Sequence, residues 1–328
     1  MPFSLNDKHI IVNYHYIEDP NKSNSGMHPC PIHEFEKQIT SLLEHYAPAS
    51  IAEIFQAAKE KSKKKLFSIT FDDGLKVQYQ NAVPILKKHR VHGTFFIITG
   101  TLEGFIPYTH KLHILLSRFS PFKIIEQWNL FIRKNENKGY IKRIEEKEIF
   151  IAYSRDYSVP TDRRWVAGRR LYEDIPSANI KEMFSRGAPK ELRDKFIGVF
   201  FQDNNLEERV LSKELFMSED EIKDLSENNL FEIGNHTHGH EALTGVGADV
   251  GKIRKDLTVS QQWFKKLELK KPTMFSYPHG LRGAVHVLRE NGFLYAVTAG
   301  DERGVPEAPN SFLIPRYEGS SIRDFLKK

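Results

Sequence analysis

Short β-branched runs and amphipathic stretches alternate along most of this chain, and a chain patterned that way folds as a parallel sheet or barrel with helical crossovers. His9 to Tyr16 (H-I-I-V-N-Y-H-Y) is strand-like. Ile32 to Tyr46 sets Ile32, Phe35, Ile39, Leu42, Leu43 and Tyr46 at helical spacing, and Ser50 can cap a second helix reaching about Glu60. Strand signals return at Leu66 to Phe71. A helical stretch from Val77 to Arg90 follows, interrupted or kinked by Pro84, and Gly93 to Thr99 reads as a buried strand.

The far half repeats the scheme. Ser218 and Glu221 form a capping box, Leu230 to Ile233 is strand-like, and Asp249 to Lys266 is helical. Thr273 to Tyr277 (strand), Leu281 to Asn291 (helix), Leu294 to Thr298 (strand) and Ser311 to Ile314 (a last short strand) complete the series. Between Gly100 and Met217 the rhythm breaks into helix-like sequence rich in aromatics, including Trp128, Tyr140, Tyr153, Tyr157 and Trp165. We therefore expect a barrel from residues 1–100 and 217–328, and a helical insertion at 101–216 that packs on it or caps its active face. Its aromatic faces suit stacking on sugar rings, although helix packing accounts for most of them.

Composition narrows the function classes. With 48 basic and 43 acidic residues the chain carries +5, spread along its length apart from one run at Lys61 to Lys65. No basic stripe with interleaved aromatics is present, so no nucleic-acid partner is expected. The one cysteine, Cys30, can form neither an intrachain disulfide nor a thiolate metal site, so any metal must be held by His and carboxylate. The amino terminus has no basic stretch ahead of its apolar run, and nothing approaches a membrane span, so the chain is expected to be cytoplasmic. Oligomeric state is not legible.

Two constellations carry chemistry, each directly after a strand. Thr70-Phe71-Asp72-Asp73-Gly74 sets two adjacent carboxylates at a strand's carboxyl end. Neighbouring side chains on a strand point to opposite faces, so the pair can serve one site only where the chain leaves strand geometry, which Gly74 permits. Taken alone, Asp-Asp-Gly is more often a solvated turn. Gly234-Asn235-His236-Thr237-His238-Gly239-His240 puts three of the chain's 14 histidines within five residues. A compact loop converges His236 and His240, whereas an extended chain aligns all three. One carboxylate with two imidazoles makes a three-donor site with an open position, as in catalytic zinc sites or the facial triad of non-haem iron oxygenases. The spare aspartate favours a hydrolase, which needs a base.

The motifs T-F-D-D-G, H-T-H-G-H within F-E-I-G-N-H-T-H-G-H-E-A-L, and F-S-Y-P-H-G at 275–280 resemble those of the NodB-homology polysaccharide deacetylases, carbohydrate esterase family 4. The similarity covers roughly residues 5–100 and 217–317 and leaves 101–216 outside. It implies an α/β fold, a distorted (β/α)7-8 barrel, that hydrolyses N-acetyl groups of amino sugars with a divalent metal, most often Zn2+, with Co2+, Ni2+ or Mn2+ as alternatives. By motif position Asp72 is the implied general base, and Asp73, His236 and His240 are the implied metal ligands. His238 falls at an unassigned position. Tyr277, Pro278 and His279 fall at the substrate and oxyanion wall, where a backbone N–H after Pro278 faces the developing charge.

The chain departs from the pattern where the family has Arg-x-Pro-Tyr and this sequence has Ser276-Tyr277-Pro278-His279, which removes the arginine that orients the base and the aromatic beside the acetyl pocket. Arg316, in L-I-P-R-Y, either replaces that arginine from another strand or is an ordinary surface residue. The late Leu-x-His that supplies the general acid is also missing. A permuted arrangement seen in some relatives draws the acid from an early Tyr-His, to which Tyr14-His15 corresponds; alone, such a histidine is more often a packed core residue. The expected activity is N-deacetylation of a sugar in a glycan, glycolipid or saccharide precursor. A hydrolase of small cyclic amides and a non-catalytic sugar-binding protein are the competing readings, the latter disfavoured by the two intact aspartates.

Overall fold

The computed structural model describes residues 3, 5–21, 26–133, 177, 180–181, 183–184, 188–244, 249–301 and 303–326. Tyr140, Tyr153, Tyr157 and Trp165 lie outside the described residues. By internal packing the chain divides into two units: residues 1–19, 30–105 and 209–328, and residues 20–29 with 106–208. The short excursion at 20–29 had no signature in the sequence.

The first unit is a curled parallel sheet. Its strands are β1 (His9–Tyr14), β2 (Ala47–Pro48), β3 (Leu66–Phe71), β4 (Gly93–Ile97), β5 (Phe231–Asn235), β6 (Met274–Ser276), β7 (Tyr295–Val297) and β8 (Tyr317–Glu318). The spatial order is β7-β6-β5-β4-β3-β1-β8, with β2 beside β3. Every pairing is parallel, so the chain must cross over between strands, and helices make most of those connections.

Helices α1 (Ile32–Leu43) and α2 (Ile51–Lys59) separate β1, β2 and β3, and α3 (Val83–His89) leads to β4. Ser50 and Glu53 close a capping box on α2. Ahead of α3 the chain runs as a π-turn over Gln78–Ala82, with Val83 N–H donating to the Gln78 carbonyl. Pro84 has no N–H to give the turn below, and the wider turn absorbs the missing donor.

Alternation along the strands divides two cores. Ile10, Val12 and Tyr14 of β1, Phe67, Ile69 and Phe71 of β3, and Phe95 and Ile97 of β4 pack outward under the helices with Phe35, Ile39 and Leu42 of α1. Each such side chain removed from water contributes about 1.5–3 kcal/mol before chain entropy is counted. Inside, Ile11, Phe96, Met274, Val297 and Ile314 form an apolar plug. Two residues further along the same inner faces the side chains turn polar: Asn13 after Ile11, Thr70 on β3 with Asp72 just past it, Ser276 after Met274. The plug gives way to a buried polar layer at the strands' carboxyl ends.

The expected final strand at Ser311 to Ile314 is reduced to a single bridge, Val297 to Ile314. Pro315 cannot donate to a ladder, so pairing resumes only at β8, where Asn13 stands opposite Glu318. This segment spans the gap between β7 and β1 and carries Arg316 into the interior.

Later helices include α7 (Glu208–Leu215), α8 (Glu219–Glu227), with the capping box of Ser218 and Glu221, and α9 (Val250–Lys266), capped by Asp249. Cys30 is half-buried, and burial, helped by Glu34, pushes its thiol up to about 12.

The second unit contains α4 (Tyr108–Arg118), α5 (Pro121–Arg133) and α6 (Lys190–Asp203). Its centre is aromatic: Trp128, 1% exposed, meets Phe184 and Phe196 edge-on at 5.2 and 5.1 Å. Trp128 is therefore a packing residue and offers no face to a sugar. Among the described residues no helix is long and apolar enough to cross a membrane.

Candidate active site

The two aspartates leave β3 as their spacing required. Asp73 and Gly74 both have left-handed backbone, φ 78° and 72°. That turn puts both carboxylates on one side of the sheet, where each is almost fully buried. Gln78 secures the turn: its side-chain N–H groups donate to the carbonyls of Asp72 (2.7 Å) and His15 (3.0 Å), and its Oε1 accepts from Leu75 N–H.

The histidine loop resolves the choice left open by its spacing. His236 Nε2 lies 3.4 Å and His240 Nε2 3.5 Å from Asp73 Oδ1. One donor atom from each of Asp73, His236 and His240 falls within 4.8 Å of the others. His238 turns away, its Nδ1 3.1 Å from Thr99 Oγ1.

His236 Nδ1 donates to the Ser276 carbonyl at 2.8 Å, which fixes the tautomer and leaves the Nε2 lone pair facing Asp73. Burial alone would depress the proton affinity of His236, but the Asp72 and Asp73 carboxylates outweigh it and hold it above the ordinary value. A site that favours positive charge, with one carboxylate and two converging imidazoles, fits a divalent cation.

Asp72 faces a different partner. Arg316 is completely buried, which excludes the surface reading, and it grips the carboxylate with a fork: Nη1 to Oδ1 at 2.9 Å and Nη2 to Oδ2 at 2.7 Å. The other guanidinium donors reach Thr298 O (2.7 Å), Asn13 Oδ1 (2.8 Å), Thr70 Oγ1 (3.1 Å) and Ser276 Oγ (3.0 Å). Burial by itself would raise the Asp72 pKa, yet Arg316 foremost, with His236 and His15, holds the carboxyl below the usual range. Asp72 is thus kept ionised next to the cation site.

His15, just past β1, stands 3.9 Å from Asp73 through Nε2, and 41% of its side chain is exposed. It is not a packed core residue. His279 has left-handed backbone, φ 57°, and its ring lies 4.5 Å from that of His240, so this residue borders the triad; Pro278 precedes it in the chain.

Tyr277 does not border it, contrary to its motif position. Ser276 points inward to Arg316, so alternation sends the Tyr277 ring outward, 1% exposed, with its hydroxyl donating to Phe312 O at 3.1 Å. Three participants escaped the sequence reading. Asn13 donates to Asp72 Oδ2 at 3.3 Å while accepting from Arg316. Ser276 serves both Arg316 and His236. Glu318 hydrogen-bonds Asn13, and burial pushes its carboxyl up despite the opposing charges of His15 and Arg316. Only the strand register could have revealed Asn13 and Glu318.

A curled parallel sheet with a buried Asp-His-His cluster and a second aspartate at its carboxyl ends defines the polysaccharide deacetylase class. The polysaccharide deacetylase family model matches residues 59–145 and 196–296, more than half of the chain, and the chain belongs to that family. The match crosses 101–145, further than the motifs alone suggested, and omits His15 and Arg316.

Among known proteins, the chain is similar to the poly-beta-1,6-N-acetyl-D-glucosamine N-deacetylase of Staphylococcus aureus strain N315, 34% identical over 149 residues, 37% of this chain and 51% of that one. The Staphylococcus epidermidis protein of the same name is 37% identical over 84 residues, 25% and 28% of the two chains. The chain spans about half the length, or less, of these curated relatives. Two solved structures share the fold. Streptococcus pyogenes deacetylase PplD, in complex with acetate, has a TM-score of 0.56 at 14% identity and covers 100% of this chain and 98% of its own. IcaB from Ammonifex degensii has a TM-score of 0.55 at 15% identity, covering 98% of each.

Proposed function

We propose that the chain is a divalent-metal-dependent N-deacetylase that hydrolyses the acetamido group of an amino sugar in a glycan or saccharide precursor. The names of the Staphylococcus relatives favour poly-N-acetylglucosamine as the substrate class. The observation that carries the reading is the buried Asp72 carboxylate, clamped by the Arg316 fork, beside the Asp73-His236-His240 cluster.

Asp73, His236 and His240 hold the cation, which we assign as zinc because a carboxylate-imidazole set of three with an open position suits it; cobalt, nickel and manganese are the alternatives. Bound there, a dication supplies Lewis-acid polarisation of the amide carbonyl. Asp72 removes a proton from the attacking water, whose oxygen adds to the carbonyl carbon. The backbone following Pro278, at His279, faces the oxyanion. His15 protonates the nitrogen as the C–N bond breaks, which releases acetate and a free amine.

None of these groups comes from residues 101–216. A cytoplasmic location belongs to the same proposal and is checked by cell fractionation.

The test is acetate release from N-acetylglucosamine oligomers. Metal-loaded protein is expected to release acetate, to stop after chelation, and to recover on adding back zinc. A metal-loaded protein that binds the oligomers and releases none would overturn the reading in favour of a sugar-binding role, and ring-opened products from small cyclic amides would replace it with the other hydrolase. His15→Ala is expected to lower kcat about 100-fold, the lower end for a general acid, because so exposed a position lets water deputise. Metal content, measured by elemental analysis, stays unchanged; its loss would remove His15 from the acid role.

A further inference from the structure

The loop that carries His236 and His240 is held from a helix that supplies nothing to the triad. Thr237 and His240 both have left-handed backbone, φ 67° and 56°. For a β-branched residue that region is costly, about 1–2 kcal/mol. Relaxation of either residue to ordinary backbone would carry the two imidazoles apart.

Opposing that relaxation, five consecutive N–H groups have fixed acceptors. His236 donates to Ile97 O (3.0 Å), Thr237 to Asn235 Oδ1 (2.7 Å) and His240 to Thr237 Oγ1 (2.8 Å). Between them, His238 and Gly239 donate to Oδ1 and Oδ2 of one carboxylate, Asp256 on α9, each at 2.7 Å. Of the side-chain acceptors Asp256 alone is charged and alone comes from another element. A second residue of α9, Ser260, accepts from Asn235 Nδ2 at 2.8 Å and so steadies the neighbouring clamp. Gly239 is what lets the carboxylate approach, since a Cβ there would lie 3.1 Å from Asp256 Oδ2.

We propose that Asp256 is a positioning residue for the cation site: its carboxylate, spanning the N–H groups of His238 and Gly239, holds the loop in the conformation that turns both His236 and His240 toward Asp73. The proposal rests on the reading of Asp73, His236 and His240 as metal ligands. Bonds from N–H to a carboxylate are roughly twice as strong as neutral ones, so the two bonds to Asp256 are a strong restraint on a strained segment. Loss of a group that orients metal ligands from outside the coordination sphere typically weakens metal binding roughly 10–100-fold.

Metal-free protein titrated with Co2+ against a competing chelator gives the affinity, and the visible d–d absorption reports the coordination geometry. Asp256→Asn turns an amide N–H2 toward one of the two donors. It is expected to weaken Co2+ binding roughly 10–100-fold and to change the d–d band, while Lys255→Ala, on the exposed side of α9, keeps wild-type values. Gly239→Ala retains the carboxylate but crowds it, is expected to shift both readouts in the same direction, and decides the matter should Asp256→Asn fail to fold.

If wild-type protein takes up neither Co2+ nor Zn2+, the metal reading falls and this inference with it. If wild type binds and the folded variants match it in affinity and spectrum, Asp256 only stabilises the fold, and the proposal is overturned with the metal reading intact.

Discussion

Asp72→Asn is expected to lower kcat for acetate release by about 10³–10⁴-fold, the upper end of what a general base contributes, while the bound metal remains. The two effects separate because Asp72 and Asp73 have different partners. Asp73 faces His236 and His240, whereas both oxygens of Asp72 accept from the Arg316 fork and Oδ2 also accepts from Asn13.

The substituted amide cannot take a proton from water at neutral pH. Its carbonyl keeps one bond to Arg316, while its N–H2 meets donors already in place on Arg316 or Asn13, so its orientation is lost as well. Elemental analysis and single-turnover acetate release on the same preparation check both halves. Full activity, or loss of metal from Asp72→Asn with metal retained in Asp73→Asn, would reverse the roles assigned to the pair.

How far the sequence anticipated this site depends on how local each determinant is. The Asp-Asp-Gly turn was legible because adjacent carboxylates at a strand end demand positive φ, and glycine signals where that is allowed. The histidine loop was half legible. Its spacing allowed two geometries, and the structure chose one by placing Thr237 and His240 in left-handed backbone. Thr is among the residues least suited to that region, and it stays there because of acceptors brought in from Asn235, Asp256 and Thr237 itself. Asp256 lies 18 residues beyond His238, on a helix whose periodicity announces only an amphipathic face.

Tyr277 failed for a simpler reason. Motif position placed it at the substrate wall, but period-two alternation on β6, counted from the inward Ser276, sends its ring to the far side. The last strand moved because Pro315 breaks the ladder, and that shift sets Glu318 opposite Asn13. Residues joined only by sheet register, such as Asn13 with Glu318, leave no trace in one sequence read alone.

Arg316 differs, because the sequence offered it as one of two readings: it sits 244 residues from Asp72 and outside the segments matched by the family model, and its side chain is wholly buried against a carboxylate that is 5% exposed. Removing one partner of a buried ion pair leaves an uncompensated charge, so Arg316→Ala is expected to cost about 3–5 kcal/mol of stability. The pH dependence follows from the direction of the Asp72 shift.

With Arg316 present the folded carboxyl titrates below its unfolded value of about 3.9, so the pair's stabilisation is complete above that pH and fades as pH falls through the folded value. Without Arg316 the foremost charge opposing burial is gone, so the folded pKa moves up from its wild-type position and the ionised carboxylate is less stabilised at neutral pH. The acid limb of kcat/KM is therefore expected to move to higher pH in Arg316→Ala. Arg316→Lys separates charge from geometry: it keeps a cation near Asp72 but cannot form the fork or reach Thr298, Asn13 and Ser276 together. Its acid limb is expected to stay close to wild type while kcat falls, because the base remains ionised but is no longer aimed. Denaturant melts of the metal-loaded variants and pH–rate profiles check this pair of outcomes. An unmoved limb in Arg316→Ala would mean that Arg316 does not set the ionisation of Asp72.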